Sequence, residues 1–326
     1  MAAAAQAWHH HSMRVIDLAT IQAIIKPATA LAAVTEAFIA YSNGLVTTPP
    51  VGHLNLPEAN GELHIKYGHL RGSPTFTVKL ATGFYRNPER GLPSGNGCML
   101  VFDASTGALL MLLEDEGWLT ELRTGLAGAI AARACGMTNP HRIGIIGTGV
   151  QARFQLRCLS LVSPCRSAMV FGRSPERTAR YIADMEQDGF EVVAASSIAE
   201  LARQCDLLVT TTNSHTPLLH ANDLRGGMHV TAMGADGGGK NELDPHIYDH
   251  AGLCVVDSLS QASAFGDTSF ALQRGCVSRS QLTELGMLCA APIQHRQKGL
   301  ISVADLTGVA CQDLAIANCV VEALTR

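Results

Sequence analysis

The chain has little charge. Of its 326 residues only 16% are Asp, Glu, Lys or Arg, against 47% apolar. Basic residues never gather into a block, and 24 Lys+Arg against 28 Asp+Glu leave a net charge of -4. Nucleic acid and anionic membranes are therefore poor partners. No apolar run approaches the roughly 20 residues that span a bilayer. The 10 cysteines form no CxxC pair, which argues against a zinc knuckle or a redox dithiol and fits a reducing, cytoplasmic compartment. Met1 to Met13 (MAAAAQAWHHHSM) lacks the basic start and apolar core of a secretory signal. It reads as a loose leader or added remnant whose histidines bind metal adventitiously. No metal site is expected elsewhere, because His246-x-x-x-His250 lacks a third ligand and an HExxH glutamate.

What is present centres on residues 142–156. Ile143, Ile145 and Ile146 form a short apolar run, as in a parallel strand buried on both faces. The run enters Gly147-Thr148-Gly149-Val150-Gln151-Ala152 and then a segment of helical spacing. Gly147 permits the tight turn, and Gly149 lets a pyrophosphate approach the backbone. Ala152 is small enough for the helix to pack on the strand, and the helix N-terminus offers free N–H donors. This order predicts a dinucleotide site.

Around that motif the chain divides. Asp17 to Ser42 reads as helices, with Asp17 an N-cap and Pro27 opening a second helix. From Pro49 to Leu113 the period changes to two, with Phe76, Val78 and Leu80 on one face and Thr77 and Lys79 on the other. Cys98 to Phe102 and Leu109 to Leu113 are strands joined by a turn at Asp103 to Gly107. An antiparallel β domain results. Glu121 to Cys135 is an alanine- and glycine-rich helix suited to close packing, with Thr120 its expected N-cap. Strand–helix alternation then runs to a last strand at Leu253 to Asp257, implying a doubly wound parallel sheet. Val303 to Leu324 reads as one amphipathic segment.

Several residues invite chemistry. An NAD site places an acid near Gly172 to hold the ribose, and none is there. Arg173, Ser174 and Arg177 stand where a 2′-phosphate would sit, so NADP(H) is expected over NAD(H). Thr211, Met233 and Gly234, at strand ends on the ligand-binding edge, complete the expected cofactor contacts. Lys79 is either a solvent-facing strand lysine or an ammonium that binds a carboxylate or polarises an imine, and Lys66 has a similar claim. Arg123, placed in the first turn of its helix, opposes the macrodipole unless an anion such as a substrate carboxylate offsets it. Asp236 is either a turn cap or a carboxylate suited to proton transfer.

Taken together, the chain from about Met13 resembles the ornithine cyclodeaminase/mu-crystallin family. The resemblance rests on Val78-Lys79-Leu80, Leu122-Arg123-Thr124, the glycine loop, Gly234-Ala-Asp236, Gly239-Lys240-Asn-Glu242-Leu243 and Asp305-Leu-Thr-Gly308. It implies an α/β architecture: a β-rich α+β substrate and dimerisation domain (13–120 and 303–326) plus a Rossmann dinucleotide-binding domain (121–302), assembled as a homodimer. It also implies that Lys79 and Arg123 hold a substrate carboxylate or imine, with Asp236 as acid/base. Cyclodeaminases carry a carboxylate-binding arginine just after the proline near Pro50. Here Pro50-Val-Gly-His53 offers none, so either Lys66 or His53 substitutes or the substrate differs. The expected activity is an NAD(P)H-dependent imino-acid reductase or amino-acid dehydrogenase. Ornithine cyclodeaminase and a mu-crystallin-like binding protein are the alternatives.

Overall fold

A computed structural model describes residues 13–291 and 299–325. The leader, residues 1–12, lies outside them. Two compact units form, one from the described residues up to Arg123 together with Val309 onward, the other from Thr124 to Gly308. Among the described residues no single helix is long and apolar enough to cross a membrane.

The first unit is a seven-stranded sheet of β1 (Arg14–Asp17), β2 (Val46–Thr47), β3 (Gly52–Leu56), β4 (Gly61–Leu70), β5 (Thr75–Phe84), β6 (Gly95–Asp103) and β7 (Leu109–Glu114), in the order β1-β7-β6-β5-β4-β2 with β3 also on β4. β1 was not expected. It pairs parallel to β7, while the other pairs are antiparallel. Asp17 does cap the helix Leu18–Ile24, accepting from Thr20 N at 2.8 Å, and Pro27 opens the helix Pro27–Ser42. That helix and the C-terminal helix Ala310–Thr325 pack together, the latter also on β4 and β5.

The faces of this sheet invert the expectation from its pattern. Thr75, Thr77 and Lys79 are buried, together with Lys66, Met99, Val101, Met111 and Leu113. Phe76, Val78 and Leu80 are only half-buried. Their face carries a row in cross-strand register, Val15–Leu112–Leu100–Val78–Tyr67. The solvent-facing reading of Lys79 is thereby overturned: the buried side of the strand is the polar one.

The second unit is an eight-stranded, wholly parallel sheet: β8 (Ile143–Ile146), β9 (Ser167–Phe171), β10 (Glu191–Ala194), β11 (Leu207–Thr210), β12 (His229–Ala232), β13 (Ala251–Val256), β14 (Leu282–Glu284) and β15 (Ile301–Asp305). Its order is β10-β9-β8-β11-β12-β15-β13-β14. The direction of winding reverses at β8, where open α/β sheets bind ligands. Two expectations are corrected. Val303 does not begin the last helix, because Ile301 to Asp305 is fully buried and pairs with β12 and β13. The unit therefore runs on to Gly308, past the expected boundary at 302. The helix Trp118–Ala134 also begins earlier than Glu121, leaving Thr120 inside it. Asp115 accepts from Leu119 N at 2.8 Å and does the capping.

Candidate active site

In the second unit, β8 is completely buried and delivers the chain into Gly147, whose φ of +119 suits only glycine. A Cβ there would also lie 2.5 Å from Thr211 Oγ1. Gly149 differs. Its φ is -81, and a Cβ would meet nothing within 4 Å. Nothing among the described residues requires the second glycine, whereas a group laid against the backbone would. The helix Val150–Leu159 has no side-chain N-cap, so its first-turn N–H groups stay available to an anion. Arg153 holds the loop, donating to Thr148 O at 2.8 Å and Gly149 O at 3.1 Å while gripping Asp184 at 2.6 Å. Ala152 is buried, and its carbonyl accepts from Tyr181 Oη at 3.2 Å. These features fit a dinucleotide pyrophosphate.

Further along the same strand ends, Gly172 follows β9. A Cβ at Gly172 would crowd Thr148 Cγ2 at 2.5 Å and Thr178 Oγ1 at 2.8 Å, so no acid can stand there without rearrangement. Arg173 and Arg177 are exposed, and Ser174 caps the helix Pro175–Gln187 by accepting from Arg177 N at 3.3 Å. Met233 is buried at the end of β12. Gly234 N donates to Glu242 Oε2 at 2.8 Å. Glu242 also accepts from Thr210 Oγ1 at 2.6 Å, Thr212 N at 2.6 Å and Thr212 Oγ1 at 2.7 Å. Burial pushes its carboxyl up, against these donors. It ties the ends of β11 and β12 together. Asp267 Oδ1 in turn accepts from Asn241 Nδ2, Glu242 N and Leu243 N, each at 2.7 Å. Asp236 follows β12, is 51% exposed and pairs with Lys240 Nζ at 2.8 Å.

In the first unit the sheet and the C-terminal helix collect charge. Lys66 and Lys79 are register partners on β4 and β5, and like charges directly opposite repel. Both are buried, at 7% and 2% exposure, as is Arg123 at 5%. Asp313 answers them: its Oδ1 lies 3.0 Å from Lys79 Nζ and 3.0 Å from Arg123 Nε. Arg123 Nη1 also donates to Gln312 Oε1 at 3.3 Å. Burial first, then Arg123, lowers Lys79 to about 7 despite Asp313. Burial would raise Asp313, but Lys79, Arg123 and Lys66 outweigh it and hold it low. Asp115, pushed to about 6 by burial, is a second acid that senses Lys79. Asp313 Oδ2 and Gln312 Nε2 are buried without a hydrogen-bond partner. Three basic side chains therefore share this buried cluster with two acids, and of its two unspent polar atoms only Gln312 Nε2 is a donor.

The pattern of the ornithine cyclodeaminase/mu-crystallin family matches residues 13–326. The chain belongs to the ornithine cyclodeaminase/mu-crystallin family. It is similar to Delta(1)-pyrroline-2-carboxylate reductase of Thermococcus litoralis in complex with NADH and L-proline. The TM-score is 0.90 and the identity 26%, covering 96% of this chain and 98% of that one. An archaeal alanine dehydrogenase dimer with bound NAD is similar at 0.87, with 31% identity and 96% of each chain covered. A lysine cyclodeaminase is similar at 0.85, with 30% identity over 97% of this chain and 93% of that one.

Within this family fold, Lys66, Lys79 and Arg123 come together around a residue that the sequence reading missed, Asp313. The reason given for Arg123 is corrected: its helix begins at Trp118, so it stands in the second turn, and Asp313 offsets its charge, not the helix end. Of the two substitutes for the missing arginine, Lys66 joins the buried set. His53 is exposed and turns to Glu62 at 3.3 Å. Gln312 and Asp313 were hidden inside a segment read only for amphipathicity. Glu242 and Asp267 were hidden because a buried acid's partners come from strand ends distant in sequence.

Proposed function

We propose that the chain is an NADP(H)-dependent oxidoreductase acting on the C–N bond of a small amino or imino acid that bears a carboxylate. The buried Lys66–Lys79–Arg123 set around Asp313 carries the reading, because it gathers three basic side chains in a dry setting beside the unpartnered donor Gln312 Nε2. Bidentate guanidinium binding suits a carboxylate, and the ammonium of Lys79, tuned to about 7, suits proton donation to an imine nitrogen. Asp236 is the second proton carrier in this reading. Bound nicotinamide would take or give the hydride. The loop at Gly147 to Ala152 would hold its pyrophosphate, with Arg173, Ser174 and Arg177 at the 2′-phosphate and Thr211, Met233 and Gly234 along the strand ends. The solved relatives hold NAD or NADH. The absence of an acid at Gly172, beside Arg173, is what favours NADP(H) here.

The row of apolar side chains from Val15 to Tyr67 supports a homodimer built face to face through the first unit's sheet. None of the ten cysteines is in a disulfide, in keeping with a reducing, cytoplasmic setting.

The likeness to a lysine cyclodeaminase gives a second reading its observation. A cyclodeaminase returns its hydride, so ornithine would give proline and ammonia with no net cofactor change. A panel of imino acids with NADPH, and ornithine with NAD, separates the two. Asp236→Asn keeps the shape and removes the titrating group, so turnover should fall by about 10²–10⁴-fold while NADPH still binds. Retained turnover would remove Asp236 from the chemistry.

A further inference from the structure

The exposed end of the first unit's sheet carries three ligand-type side chains that the reading above leaves unused. Glu62 and His64 lie two residues apart on β4 and so share a face, and His53 is the register partner of His64 on β3. Their tips converge. Glu62 Oε2 is 3.1 Å from His64 Nε2 and 3.3 Å from His53 Nε2. The three ligand atoms lie within 4.8 Å of one another. The two imidazole rings stand 4.7 Å apart, tilted by 47°. Tyr85 Oη donates to the other carboxylate oxygen of Glu62, the place an outer hydrogen bond takes behind a metal-bound carboxylate.

We propose that His53, Glu62 and His64 form a site for one divalent metal ion of the zinc type. Zinc held at about 2.0–2.1 Å by tetrahedral nitrogen and oxygen ligands sets neighbouring ligand atoms about 3.3 Å apart, close to the spacing of Glu62 from each histidine. Two imidazoles and a carboxylate are a borderline donor set that favours zinc or cobalt over magnesium or calcium. Three protein ligands leave a fourth position for water. The ion would clamp β3 to β4, and its coordination sphere would sit on the strand face that also carries Lys66. His246, Asp249 and Cys276 gather in the second unit as well, but two of the three are exposed.

The test uses the full chain with His9, His10, His11 and His246 changed to alanine, which removes the leader imidazoles and the second cluster. Calorimetric titration with Zn²⁺ should show one equivalent. His64→Ala and Glu62→Gln should each weaken it on the order of a hundredfold, and Tyr85→Phe about tenfold. His53→Ala should weaken it comparably; that residue is half exposed on an outer strand, so its loss leaves folding intact, as circular dichroism would check. With Co²⁺ the visible bands should be those of nitrogen and oxygen ligands. Binding no tighter than millimolar, binding unchanged in His53→Ala, or a thiolate charge-transfer band would each overturn the site.

Discussion

At the residue scale the account turns on Lys79. A lysine two residues from Thr77 on a regular strand is an ordinary surface residue by pattern. What makes it otherwise is burial, which no residue spacing reports, and a partner, Asp313, 234 positions along the chain. The sign of its shift yields a test. Its pKa is lowered from 10.5 to about 7, so the proton needed for donation is present below pH 7 and lost above it. kcat/KM for imine reduction should therefore fall by about tenfold per pH unit above this value. Lys79→Arg stays charged throughout, so its profile, at whatever residual rate, should lose that limb. A limb that persists in Lys79→Arg belongs to another group. Arg173 gives a second test at this scale. Arg173→Ala removes a charge-assisted bond worth roughly 1.5–3 kcal/mol, so NADPH affinity should drop about tenfold or more while NADH affinity holds. Equal losses for both cofactors would contradict the 2′-phosphate assignment.

Among the elements, the strand–loop–helix unit at residues 143–159 was fully legible, because each step has a local cause: an apolar run, two glycines, a small residue, an uncapped helix start. Its two glycines have separate duties. Gly147→Ala would strain a φ of +119 and push into Thr211, so thermal stability should drop by roughly 1–3 kcal/mol. Gly149→Ala enters open space, so stability should hold while dinucleotide affinity falls on the order of tenfold. Melting curves and cofactor titrations on both variants check this, and equal destabilisation would erase the distinction. The strands β1 and β15 were less legible. Four or five residues beside a helix start are too short to show a period, and β15 is buried on both faces, so its polar residues Ser302 and Asp305 hide the apolar run. Asp305 has a partner distant in sequence: it accepts from Thr268 N at 2.7 Å, in the first turn of the helix Asp267–Arg274.

For the whole molecule, the two-part organisation was legible from the change of period near residue 121 and from the family motifs. Which face of the first sheet is covered was not, because the pattern places the apolar residues outward and a lysine inward. Both proposals rest on that inversion, an anion-binding cluster on one side and an apolar dimer face on the other. Tyr67→Glu puts a charge on the open face, where the tyrosine is 38% exposed, so a species of about twice the 34.5 kDa chain mass should give way to monomer in light scattering. A wild-type monomer, or a dimer untouched by this change, would set the face aside. The anion-binding cluster is the central claim, and one comparison tests it most directly. The purified protein is given NADPH with a cyclic imine that carries a carboxylate, and separately with the same imine lacking it, and loss of cofactor absorbance is followed. The account predicts rapid oxidation of NADPH with the first and at least a hundredfold less with the second, since each charge-assisted bond forfeited is worth roughly 1.5–3 kcal/mol. Equal rates on the two imines, or no oxidation with any carboxylate-bearing imine, would contradict it.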